Sequence, residues 1–343
     1  MLNYPRWVPK ELVVGYIGHG VYDLLPWQQQ VLSKRTLRAP RYSNLVFSAP
    51  TSSGKTVVAE LIAVNTVLQL QRKAVFIFPY VSVAKEKFVT LQKIWRSVNL
   101  RVSAFMGQYS ASLQTWDVAV CTIEKANSLL NRMTEDKTVL DIGVLVIDEF
   151  HMLFDTNRGL LLEQIVGKAL YISHVLKYVE THVKVIKLLR YLSATLPNLD
   201  ELVDWLNAEK YETQFRPVHL QEMILCDGHL HDAMTLECMQ KVETEYTFSN
   251  DVGHIIQLCS ESIARRESVL LFCSSKAEAE KIALAISNYL QDCCMSNTNQ
   301  KLISSLDCTR LKNLMISLNN EVQCIDDILC KTIPFGIAFH HAG

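Results

Sequence analysis

One short run constrains this chain more than any other: Ala49-Pro50-Thr51-Ser52-Ser53-Gly54-Lys55-Thr56. It joins an apolar run at residues 44–48 to a segment with helical spacing at 54–70. A strand that turns into a helix through Gly-Lys-Thr is the setting of a phosphate-binding loop in a parallel α/β sheet. Successive backbone N–H groups of such a loop converge on anionic oxygens. The helix that starts there adds the positive end of its dipole. Gly54 has no side chain, so the backbone can approach a phosphate closely. Lys55 supplies a point charge for the terminal phosphates, and the Thr56 hydroxyl is placed for Mg²⁺. Ala49 stands where the general pattern has glycine.

The surrounding pattern agrees with that setting. Apolar runs at 74–78, 101–106, 117–121 and 143–147 alternate with helical patterns at 82–98, 122–133 and 159–173. Runs without a polar face belong to strands covered on both sides, and the alternation implies βαβ units. A less clean strand at 184–192, diluted by Lys184, Lys187 and Arg190, delivers Ser193-Ala194-Thr195 at its carboxyl end, and a short helix follows at 199–206. Phe215-Arg216-Pro217 reads as a linker. Beyond it we expect a second α/β unit, with helices at 253–266 and 277–290, a buried strand at 268–273 and a new strand beginning at 337–339. Residues 291–331 are polar and carry no clear pattern apart from a loop at 296–300. The chain stops a few residues after its last expected strand, so the expected division is a first domain over 1–215 and an incomplete second one over 216–343.

A second chemical element ends the run at 143–147: Asp148-Glu149-Phe150-His151. Carboxylates at the carboxyl end of a buried strand lie in the crevice where α/β sheets bind ligands. Asp148 can hold Mg²⁺, and Glu149 can orient or deprotonate an attacking water. His151 follows closely enough to couple that site to a second ligand.

Composition narrows the remaining classes. Hydrophobic residues make up 49% and charged residues 20%, which excludes disorder throughout. The formal net charge is −1, so any nucleic-acid contact must come from local patches or backbone amides. The 10 cysteines are scattered with no C-x-x-C pair, which implies reduced thiols and an intracellular compartment. No signal-peptide pattern opens the chain and no apolar run approaches the roughly 20 residues that span a bilayer, so no membrane partner is expected. His340-His341 has no further ligands at metal-binding spacing.

Taken in order, these motifs resemble the superfamily 2 DExH helicases, and within them the polymerase theta clade. Residues 49–56 resemble the family's phosphate loop, and Asp148-Glu149-Phe150-His151 its DExH box, with Phe150 where leucine is commoner. Trp27-Gln28 resembles the upstream glutamine motif that reads adenine. Residues 79–87 and 121–127 resemble two strand-contacting motifs, and these point most to the polymerase theta clade. Ser193-Ala194-Thr195 is similar to the coupling motif, Phe215-Arg216-Pro217-Val218 to the hinge, and residues 271–276 and 335–343 to early motifs of a second RecA-like domain. Phe154 and Arg190 depart from the family's usual residues, and a Gln-x-x-Gly-Arg-x-Gly-Arg-type element, which supplies the arginine finger, does not occur in the sequence. Loss of such a finger costs roughly 10³–10⁵ in rate in related phosphoryl-transfer systems.

The resemblance implies a P-loop NTPase with a RecA-like parallel sheet, helices on both faces, and a partial second RecA-like domain. ATP and Mg²⁺ are the implied cofactors. Gln28, Ala49, Pro50, Thr51, Ser52, Ser53, Gly54, Lys55 and Thr56 would bind the nucleotide, and Lys55, Asp148 and Glu149 would carry catalysis. Thr56 and Asp148 would hold the metal, and His151, Ser193 and Thr195 would couple hydrolysis to movement. Ser82, Lys87 and Thr122 would touch the track, which is single-stranded or partly duplex DNA, with RNA not excluded. Simple N-capping by Ser82 and Thr122, and a solvated helix face for Lys85 and Lys87, are the plainer alternatives. The implied role is ATP-driven movement on single-stranded DNA in nuclear DNA repair; the alternatives are a catalytically incomplete fragment that binds ATP or nucleic acid without turnover, and an RNA helicase of the same superfamily. Oligomeric state is not legible.

Overall fold

A computed structural model describes residues 3–37, 43–50, 53–107, 109–110, 115–179, 187–192, 199–242, 251, 254–321 and 325–341, with side chains at 109–110, 174–179 and 187–192 excepted. The chain divides into two compact units, Met1–His219 and Leu220–Gly343.

The first unit runs α1 (Lys10–Ile17), α2 (Pro26–Ser33), β1 (Asn44–Ser48), α3 (Lys55–Leu70), β2 (Lys73–Phe78), α4 (Val81–Trp95), β3 (Val102–Met106) and β4 (Tyr109–Ser110). It continues through β5 (Val118–Thr122), α5 (Ile123–Glu135), β6 (Ile142–Ile147), α6 (Gly159–Val179), β7 (Lys187–Leu192), α7 (Leu199–Trp205) and β8 (Ala208–Glu212). The eight strands form one sheet in the order β4-β3-β5-β2-β6-β7-β1-β8. Every pairing is parallel except that of β3 with β4.

The core explains why the strand sequences carry no polar face. Side chains along β2 alternate: Ala74, Phe76 and Phe78 enter one core with α1 to α4, while Val75 and Ile77 enter another with α5 to α7. A strand covered on both sides needs apolar residues at both parities. The aromatic anchors Phe76 and Trp95 pack at 5.7 Å on the first face, and Phe105 and Trp116 pack edge-on at 5.9 Å on the second.

The parallel register brings the strand ends level. Ile77 pairs with Ile147, Phe78 with Thr122, and Ile147 with Arg190, which in turn pairs with Val46 of β1. The segments leaving β1, β2, β5 and β6 therefore emerge at one edge of the sheet.

The second unit contains β9 (Met223–Cys226), β10 (His229–Asp232) and β11 (Cys238–Lys241) in an antiparallel sheet, then α8 (Ile255–Ala264), α9 (Lys276–Ser296), α10 (Gln300–Ser305), α11 (Cys308–Glu321) and α12 (Asp327–Thr332). A small core joins Cys259, Ile286, Leu290, Cys293 and Leu302. Here two expectations fail. Residues 268–273 form neither a strand nor a buried segment: Leu270 is 79% and Phe272 88% exposed. Residues 337–339 are likewise irregular. A buried parallel strand requires neighbours on its hydrogen-bonding edges, and no strand pairs with either segment among the described residues. The polar stretch after residue 291, by contrast, is helical over most of its described length.

Candidate functional site

The loop leaving β1 is held by side chains that grip its carbonyl groups. Trp27 on α2 donates its indole Nε1 to the Ser53 carbonyl at 3.1 Å. Gln28 donates Nε2 to the Gly54 carbonyl at 2.8 Å, while its Oε1 accepts the Leu25 N–H at 2.8 Å. Lys55 donates Nζ to the Ala49 carbonyl at 2.8 Å. Ser53 donates its hydroxyl to the Pro50 carbonyl at 2.7 Å. Trp27 is itself fixed, lying 6.1 Å from both Phe47 of β1 and Tyr211 of β8. Of the sequence candidates, Gln28, Ala49, Pro50, Ser53, Gly54, Lys55 and Thr56 thus share one locus at the start of α3. Thr51 and Ser52 lie outside the described residues, as do Ser193 and Thr195.

Gly54 occupies the left-handed region at φ +77 as the N-cap of α3. That conformation disfavours any residue with a Cβ. A Cβ there would also stand 2.5 Å from Gln28 Nε2.

The acidic pair leaves β6 beside this loop. Asp148 donates its backbone N–H to the Ile77 carbonyl at 2.9 Å, which anchors the turn to β2. Its Oδ1 accepts the Glu149 N–H at 3.0 Å. Glu149 sits at φ +51, a strained conformation for glutamate. His151 Nδ1 lies 3.2 Å from Glu149 Oε2.

The charges of the two segments interact. Burial pushes the Asp148 carboxyl up to about 6, and Glu149 adds to the rise, while the Glu149 N–H, Lys87 and Lys55 oppose it. Burial holds the Lys55 ammonium below the ordinary lysine range, against the pull of Glu149 and Asp148. A carboxylate short of positive charge and a desolvated lysine are what a site for a polyanion and its cation presents.

The candidates for the track are less uniform. Ser82 is exposed in the first turn of α4, whose N-cap is Tyr80, and Thr122, the N-cap of α5, makes no side-chain capping bond. Lys87 differs from expectation: its ammonium lies 3.6 Å from Glu60 Oε1, on a carboxylate buried in α3. An ammonium beside a desolvated carboxylate gains more there than on an open face.

Several contributors escaped the sequence reading. Tyr80, half-exposed after β2, carries the Arg158 guanidinium 5.2 Å from its ring centre, and Arg158 Nε donates to Glu124 Oε1 at 3.0 Å. Glu60 had a legible signal: it is the one acidic residue in α3 and stands in the apolar stretch 57–64. Tyr80 lies inside the run 79–87 that resembles a strand-contacting motif, though it was not singled out there; Arg158 had no signal, since its partners are distant in sequence. Among the described residues no group of acidic, histidine and cysteine side chains is arranged to hold a metal by itself, and no helix is long and apolar enough to cross a membrane.

Comparison with known proteins follows the same lines. The family described as DEAD/DEAH box helicase matches residues 26–202. Mouse DNA polymerase theta is 39% identical over 350 aligned positions, which cover 98% of this chain and 14% of that protein. The human protein named Helicase POLQ-like is 30% identical, over 94% of this chain and 29% of that one. The ATP-dependent DNA helicase Hel308 of Pyrococcus horikoshii is also 30% identical, over 94% and 40%. The chain therefore spans well under half the length of these relatives. A crystal structure of the DUF1998 helicase MrfA bound to DNA and AMPPNP superposes with a TM-score of 0.60 at 14% identity, over 83% of this chain and 38% of that one. That likeness is one of fold.

Proposed function

The chain belongs to the DEAD/DEAH box helicase family, and on that premise we propose that it is the nucleotide-binding part of an ATP-dependent DNA helicase or translocase of the polymerase theta type. It would couple ATP hydrolysis to movement on single-stranded DNA in DNA repair, in the nucleus. The observation that carries this reading is that the Gly54-Lys55-Thr56 loop leaving β1 and the Asp148-Glu149 pair leaving β6 emerge at the same edge of the parallel sheet.

The residues present fit Mg²⁺. Thr56 and Asp148 offer hard oxygen donors, and Asp148 is buried without enough positive charge around it. Magnesium commonly keeps waters and substrate phosphates in its shell, so two protein oxygens are sufficient. When bound there, it would neutralise charge on the β- and γ-phosphate oxygens.

The chain's own residues supply the rest. Lys55 exchanges the Ala49 carbonyl for a phosphate oxygen, a stronger, charge-assisted partner. Gln28 and Trp27 keep the loop's carbonyl groups turned into the protein, so the amides can address the phosphates. Glu149 orients the attacking water and takes its proton, with His151 beside it to carry the change onward. Ser82 and Thr122 stand at helix starts that favour phosphate oxygens of the track.

Calorimetry tests this reading. Mg-ATP binds the unsubstituted chain, and Lys55→Ala abolishes binding; equal affinity in the variant would remove the phosphate-loop assignment. Hydrolysis by this chain alone is expected to be weak even with single-stranded DNA, because the arginine-finger element does not occur in it. A turnover of several per second would show that the element is dispensable. Competition between matched DNA and RNA oligonucleotides separates the two tracks.

A further inference from the structure

Glu60 is a carboxylate with almost no solvent exposure, in a helix whose neighbours are apolar. It has two partners on different helices. Lys87 of α4 lies 3.6 Å from Oε1, and Tyr16 of α1 donates its hydroxyl to Oε2 at 3.0 Å. Trp95, at the far end of α4, donates its indole N–H to the same Tyr16 hydroxyl at 3.4 Å. The network therefore ties α4 to α3 at two points. Packing alone does not call for it: buried ion pairs are often no more stabilising than apolar residues of the same volume.

Its position gives it another use. Glu60 lies one turn beyond Thr56 on the same face of α3, the helix that opens from the phosphate loop. Lys87 belongs to α4, whose first residues, Tyr80 to Ser82, are exposed at the sheet edge. The Lys87 ammonium thus bridges α4 to a buried carboxylate of the helix that opens from the phosphate loop.

We propose that Glu60 and Lys87 form a two-residue link by which occupancy of the phosphate loop and binding of single-stranded DNA at the start of α4 alter each other's affinity, with Glu60 acting as a positioning residue. The inference rests on the nucleotide-site reading above. A displacement of α3 on nucleotide binding is passed through Glu60 to Lys87 and so to α4. Such coupling is reciprocal, so it is measurable from either ligand.

The test titrates a fluorescent ATP analogue with Mg²⁺ into the intact chain, with and without saturating oligothymidylate. The ratio of the two dissociation constants is the coupling factor. For the unsubstituted chain it is expected within the roughly 5–150-fold range of allosteric pairs. In Glu60→Gln the ratio falls to about 1, whereas the affinity without DNA changes by less than about 3-fold. Lys87→Met brings the ratio down in the same way, and the double variant is no worse than either single one. A merely structural role would lower melting temperature and affinities together and leave the ratio in place. Should a single variant fail to fold, the double variant carries the test, because it removes both charges at once. A folded variant with the unsubstituted ratio overturns the link, as does an unsubstituted chain that binds both ligands with no coupling. If the unsubstituted chain binds no Mg-ATP, the site reading itself falls, and the link with it.

Discussion

Gln28 Nε2 donates to the Gly54 carbonyl at 2.8 Å, and that nitrogen occupies the space a Cβ on residue 54 would need. The glutamine and the glycine are thus two halves of one device. Gly54 can adopt φ +77 without strain, and Gln28 fills the room that the missing side chain leaves.

Gly54→Ala should therefore fail on both counts. Alanine in the left-handed region costs roughly 1–2 kcal/mol, before the displacement of Gln28 is added. We expect a melting temperature lower by about 4 °C or more by scanning calorimetry, and Mg-ATP affinity lower by at least about 10-fold. A variant that binds like the unsubstituted chain would show that the loop is rebuilt on binding.

Trp27→Phe keeps the ring packing on Phe47 and Tyr211 but removes the donor to the Ser53 carbonyl. A buried acceptor left without its partner costs about 1–3 kcal/mol. The expected result is a modest loss of stability, with a larger fractional loss of nucleotide affinity measured by titration.

Asp148 makes stability depend on pH. Its folded value of about 6 lies above the ordinary 3.8, so the folded chain holds the proton more tightly than the unfolded one. Stability is therefore greatest below the unfolded value and falls as pH rises through about 6. At neutral pH the cost is on the order of 3 kcal/mol. In the absence of Mg²⁺, Asp148→Asn should raise the melting temperature at neutral pH, and the gain should vanish in acid, while Mg-dependent hydrolysis is lost. An unchanged difference across the pH range would exclude Asp148 as the titrating group.

Tyr80 and Arg158 predict a contact with the track. Stacking of a base on an aromatic ring is worth about 1–3 kcal/mol. Tyr80→Ala should weaken binding of oligothymidylate by about 10-fold in anisotropy titrations at fixed salt. Arg158→Ala should reduce the salt dependence of binding by about one phosphate contact. Equal affinity in both variants would move the track away from the end of β2.

Much of the first unit was legible because its information is local. β1, β2, β5 and β6 are apolar at both parities, and each was expected within a residue or so of where it lies. β8 was not, since its residues Ala208–Glu212 alternate in exposure at the sheet's edge and offer no apolar run. The antiparallel strands β9 to β11 are largely exposed and equally silent. Residues 268–273 were misread for the converse reason. Their sequence is apolar enough for a buried strand, but burial is conferred by neighbours and not by composition.

The strand-to-helix setting of Gly54, Lys55 and Thr56 was legible in the sequence alone. β1 ends at Ser48 and α3 begins at Lys55 with Gly54 as its N-cap, as the consecutive residues themselves dictate. The acidic pair at the end of β6 was determined in the same way. The tertiary structure decided what grips that loop and where Lys87 points. Trp27 and Gln28 reach Ser53 and Gly54 across 26 residues of sequence, and Lys87 meets Glu60 through the packing of α4 on α3. Such contacts depend on how the helices pack on the sheet, and no local pattern encodes that packing.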